Sequence, residues 1–162
     1  MLPVTYDPLF DLAPCFPGML ADSGDTDKVT VPCGTAPQAF GTVVATVPAT
    51  GISALPIGAN TLQGIAIHDQ TFAGRVVSQD GYVRGDPMSV ITEGRIWARA
   101  SGACTKDAPA KFDPATGVFS DAGLATYPRA RFLTGQVSVI GVLSTDAATI
   151  AVQVELMNTS AA

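Results

Sequence analysis

Charge is scarce in this chain: of 162 residues only 14% are Asp, Glu, Lys or Arg, against roughly 25% in an ordinary soluble domain. With a mean hydropathy of +0.31, that is too little to coat a monomer, so part of the surface is expected to lie against other subunits. A well-packed monomer with a Thr/Ser/Gly-rich skin is the alternative. Basic residues are the scarcer sign, nine against fourteen acidic, for a net charge of −5. Nucleic-acid binding needs basic stripes that neutralise phosphates, and this balance argues against it. Histidine occurs once and cysteine three times. Zinc usually takes four clustered N or S ligands, and Cys15, Cys33 and Cys104 show no C-x-x-C spacing that would supply them. No metal and no cofactor is expected. Buried thiols are the expectation for a cytosolic product, with a Cys15–Cys33 bridge as the alternative.

Long apolar runs are also missing. Although 47% of residues are apolar, stretches such as Val139–Leu143 fall far short of the ~20 residues a membrane helix requires. The first residues carry acid and proline where a signal peptide would carry a basic region, which points to synthesis in the cytosol. Helical periodicity is absent too: no window keeps apolar residues at i, i+3, i+4 and i+7 over several turns.

What is present is glycine and proline, 16 and 12 residues spread along the whole chain, with period-two alternation between them. The clearest case is Thr149–Leu156, where Ile150, Val152, Val154 and Leu156 share one face and Ala151, Gln153 and Glu155 the other. Gln136–Leu143 reads as its partner, joined through a turn at 144–148. Met88–Thr92 and Arg95–Ala100 read as a second hairpin turning at Glu93-Gly94. Along its second strand Arg95, Trp97 and Arg99 face outward, opposite Ile96, Ala98 and Ala100. Gly41–Val47, Gln63–His68 and Ala130–Thr134 complete the clearest strands. About eight to ten short strands predict an all-β fold, a small β-barrel or jelly-roll-like sandwich, occupying residues 36–162.

Residues 1–35 read differently. They hold five of the twelve prolines (Pro3, Pro8, Pro14, Pro17 and Pro32) interleaved with Leu2, Val4, Phe10, Phe16, Met19 and Leu20. Proline excludes a helix or a central strand, and the apolar side chains exclude a polar linker. An extended amino-terminal arm that packs on a partner, or across its own barrel, fits both features.

Residues for catalysis are few. His68 and Asp69 are sequence neighbours, which in a strand point to opposite faces, and no G-x-S-x-G elbow accompanies them. A strand-end histidine bonded to backbone is expected, and no enzymatic activity. Asp22, Asp25 and Asp27 do not follow the calcium-loop spacing and read as a capped turn. Gly-rich phosphate cradles are absent. Lys111–Gly123 reads as a long turn.

Several blocks, in order, carry a resemblance. Phe16–Lys28 (FPGMLADSGDTDK) resembles the amino-terminal signature of the structural cement proteins of tailed bacteriophages. Gln63–Thr71 is similar to a recurring strand of that family, and Asp86–Ala100 to its central hairpin. Tyr127–Thr134 and the closing Val152–Leu156 fall where its last strands lie. The resemblance implies a capsid decoration protein that binds the outer surface of the assembled phage shell and staples adjacent major capsid protein subunits. It implies a homo-oligomer, a trimer with a dimer as the alternative, synthesised in the host cytoplasm and carried on the virion, and no catalytic residue. Candidate capsid or oligomer contacts are Phe10, Phe16, Met19 and Leu20 on the arm and Trp97 on the barrel. The competing function is a carbohydrate- or receptor-binding β module on the virion surface, with Trp97, Tyr82 and Tyr127 as a sugar platform.

Overall fold

The computed structural model describes residues 16–21, 26–34, 37–69, 81–139 and 149–157. Among them there is no helix, and the fold is all-β as expected. Eleven strands follow one another: β1 (Asp27–Pro32), β2 (Gln38–Ala39), β3 (Val43–Thr46), β4 (Ser53–Ala54), β5 (Thr61–Ala66), β6 (Gly81–Tyr82), β7 (Pro87–Ala100), β8 (Pro109–Phe112), β9 (Ala125–Phe132), β10 (Val137–Val139) and β11 (Thr149–Leu156). Nine of them make one sheet in the order β4-β3-β5-β7-β11-β9-β8, with β1 added to β7 and β10 to β11. This sheet curls into half a barrel. β2 and β6 form a separate two-stranded ladder.

β7 organises the molecule and overturns one expectation. The segment expected to turn at Glu93-Gly94 runs through as one strand of 14 residues. Its first half pairs with β1 and β5 and its second half with β11. The passage is made by an irregularity: Asp27 sits opposite Glu93 and Lys28 opposite Ile91, so Thr92 is skipped. Gly94 follows at φ +117°, a conformation that side-chain-bearing residues rarely adopt. One extra residue reverses the alternation of faces. Before it, Met88 and Val90 enter one core; after it, Ile96, Ala98 and Ala100 enter the other. The glycine that read as a turn is the point where the strand changes sides.

Two apolar layers result. Around the first half of β7 the sheet is covered on both faces: Val43, Ile65 and Ile91 point into the larger core, while Val44, Ala66 and Val90 point into the smaller one. Such strands lose their polar face, which is why Val43–Thr46 is buried throughout. The larger core is completed by Phe112, Phe119, Phe132 and Tyr127, whose rings stand 6.1–6.2 Å apart in tilted or edge-on pairs. In the smaller core Phe40 meets Tyr82 edge-on at 5.1 Å. The buried Tyr82 hydroxyl donates to the Ile67 carbonyl at 2.7 Å, so its polar end is satisfied.

β11 matches its expected bounds and faces, with Val152, Val154 and Leu156 in the larger core. β10 pairs with it antiparallel; the turn expected at 144–148 lies outside the described residues. The long turn expected from Lys111 begins inside β8 and tightens at 113–117, where the Gly117 amide donates to the Asp113 carbonyl at 2.7 Å. Within the expected arm, β1 lies along β7, and Pro32 ends it at an outer position that proline tolerates.

Candidate functional site

Phe16, Pro17, Gly18 and Met19 form a tight turn, closed by the Met19 amide donating to the Phe16 carbonyl at 3.0 Å. Proline in the second position and Gly18 at φ +87° in the third are the residue choices of a type II turn. The turn is then stitched into the sheet. The Gly18 amide donates to the Trp97 carbonyl at 2.7 Å, the Trp97 amide to the Met19 carbonyl at 2.8 Å and the Ala21 amide to the Arg95 carbonyl at 2.9 Å. On its other side the Gly18 carbonyl accepts from the His68 amide at 2.9 Å. A Cβ on Gly18 would stand 2.6 Å from the His68 nitrogen, and one on Gly41 2.8 Å from the Gly18 nitrogen. Two glycines therefore let three backbone segments meet. Residues 16–21 of the expected arm lie across this chain's own sheet.

The turn delivers side chains to the outer face of β7 and β11, opposite the larger core. Phe16 and Trp97, both half-buried, pack on the buried Ala151. The single histidine, His68, sits just past the end of β5 with its ring 4.6 Å from both Phe16 and Phe40. Its position is that of the expected strand-end histidine, with its amide bonded to backbone. Leu20 turns the other way, bridging to Ile96 and packing against the larger core. Met19 is half-buried. Of the expected contact residues the fold thus brings Phe16 and Trp97 together and places Met19 and Leu20 beside them on the same ladder. Phe10 lies outside the described residues, as do Cys15, Asp22 and Asp25.

The same outer face carries an ionic row across three strands. Arg95 on β7 and Arg131 on β9 both stand opposite Glu155 of β11. Arg95 Nε lies 3.1 Å from one carboxylate oxygen, and Arg131 Nη2 2.8 Å from the other. Partial burial pushes the Glu155 carboxyl up, but its hydrogen bonds and charge pairing with Arg131 and Arg95 outweigh that and hold it below the usual range. Alternation alone places Arg95 and Glu155 outward. The cross-strand register that joins them to Arg131 is not written in local sequence.

Cys33 and Cys104 are buried thiols, as expected. Burial pushes the Cys33 thiol up, and the Cys104 thiol to about 11. That is the opposite of the shift that activates a nucleophilic cysteine. The sugar platform is not assembled: Tyr82 is fully buried and Tyr127 is 9% exposed, its hydroxyl pushed to about 12 by burial. Both rings are core packing, and of the three aromatics Trp97 alone reaches the surface. Among the described residues no cluster of three or more His, Cys, Asp or Glu side chains is placed to hold a metal ion.

The fold has a known counterpart. A chain of a solved structure, the capsid of Myoviridae phage XM1, superposes with a TM-score of 0.67 at 14% identity, covering 88% of this chain and 90% of that one. At that identity the likeness is one of fold. No curated protein matches the sequence. The family model of the structural cement protein (E217 gp24/Pam3 gp6) matches residues 9–156. That span takes in the Phe16–Met19 turn, the whole of β7 and the closing β11, and the protein belongs to the phage structural cement protein family, with a structural role in the capsid.

Proposed function

We propose that the protein binds the outer surface of the assembled phage shell and staples adjacent major capsid protein subunits. The observation that carries this reading is the family match over residues 9–156. The low charge of the chain supports it, because a surface meant to be covered dispenses with charge. After synthesis in the host cytoplasm the protein assembles as a homo-oligomer, a trimer in preference to a dimer, and remains on the virion. Phe16, Met19 and Trp97 supply contact area on the outer face. Leu20 anchors that face to the core, and Phe10 is a further candidate contact. Each contact is modest, but contacts linked within one oligomer gain from effective concentration. A ligand that binds the assembled lattice and not its dissociated subunits stabilises the lattice by mass action. The role is one of binding, with no reaction to catalyse.

Quantitative mass spectrometry of purified virions tests this. The protein is expected at a copy number comparable to that of the major capsid protein; a handful of copies per virion would contradict a shell-wide role.

A further inference from the structure

From Val29 to His68 the chain carries no Asp, Glu, Lys or Arg, and all of its nine basic and fourteen acidic residues lie elsewhere. For β3 and the end of β5 burial explains this. It does not explain the lobe at 47–61, which carries β4 and stands at the free end of the sheet, beyond β3. There Pro48 to Ile52 and Ile57 to Ala59 are exposed, yet the lobe shows water apolar and small uncharged groups. Ile52 is 40% exposed and Ile57 51%.

The lobe is also built to hold its shape. The Val47 carbonyl accepts from both Thr50 and Gly51, and the Val47 amide donates to Ile52 at 3.0 Å. Asn60 closes the second bend, its side-chain amide donating to the Leu55 carbonyl at 2.9 Å. The Ser53 hydroxyl accepts from the Gly34 amide at 2.9 Å, tying the lobe to the segment after β1. A surface fixed in advance loses little entropy on binding. Loss of charge at the centre, rather than bulk hydrophobicity, is what marks the middle of a protein interface.

We infer that the 47–61 lobe is a shell-docking surface, seated on an uncharged, apolar face of a capsid subunit. The inference rests on the function proposed above and adds a contact distinct from the Phe16–Trp97 face. A charged partner face would leave its charges buried against Ile52 and Ile57 without compensation, so the occupant is identified by its own lack of charge.

The test is the double variant Ile52→Asp/Ile57→Asp beside the wild type, each co-sedimented with purified shells lacking the protein. Neither side chain belongs to the buried core, Ile52 being 40% and Ile57 51% exposed, so cooperative thermal unfolding and the oligomeric state in solution should be retained. Shell affinity should fall at least about tenfold, and wild-type binding should survive a rise from about 0.1 to about 1 M salt, which screens charge pairs but not apolar contact. Wild-type affinity in the variant would overturn the inference and leave the cement role standing. Loss of the oligomer together with shell binding would overturn it too, making the lobe a contact between copies. If the wild type itself fails to bind shells, the functional reading falls and the inference with it.

Discussion

Gly18 does two things that no other residue can do at once. It holds φ +87° in the Phe16–Met19 turn, and it leaves room for the His68 amide, which a Cβ would approach to 2.6 Å. Gly18→Ala should therefore lower stability by at least about 1–2 kcal/mol, from the left-handed backbone alone. The check is a urea unfolding midpoint, and an unchanged midpoint would mean that the turn is not stitched to β5 and β7. Much of the outer face was legible residue by residue. Alternation put Arg95, Trp97 and Arg99 outward and Ile96, Ala98 and Ala100 inward, and the buried pattern of β7 agrees. The fates of Tyr82 and Tyr127 were not legible. Local sequence places an aromatic ring in a strand but does not say whether the layer above it is water or a second core.

At the scale of elements, the segments that read well were those with one wet face and one dry face, β11 above all. β7 is the exception, for an identifiable reason. Two alternating runs around a glycine have the same pattern whether the chain reverses there or slips one residue and continues, and the choice is made by distant partners. β1 and β5 hold the first half and β11 the second, and none is adjacent in sequence. β1 itself is not legible in the sequence because most of its residues are exposed and it ends on proline. A Gly-Ser-Gly insertion between Glu93 and Gly94 separates the two architectures. Hairpin tips accept insertions. In a continuous β7 the insertion disrupts the register of both halves, and the expected outcome is loss of cooperative folding by near-UV circular dichroism. The same insertion between Ala49 and Thr50, at an exposed loop tip, should be tolerated. Equal tolerance at both sites would contradict the continuous strand.

At the scale of the whole molecule, an unusual composition meets an all-β body that gathers its charge unevenly. One exposed lobe has none, and the outer face of β7, β11 and β9 carries the Arg95–Glu155–Arg131 row. Composition makes the scarcity of charge legible, and the ordered blocks from Phe16 to Leu156 make the family legible. Where the charge-free surface lies required the fold, because exposure at 47–61 is a property of where that segment stands beyond β3. The central claim is that this surface is completed by an assembled lattice. Its most direct test is to titrate the purified protein against intact expanded shells and, separately, against dissociated major capsid subunits at the same subunit concentration. The account predicts saturable binding to the shells at a fixed ratio to capsid subunits and no measurable binding to the dissociated subunits. Equal affinity for both, or no binding to shells, would contradict it.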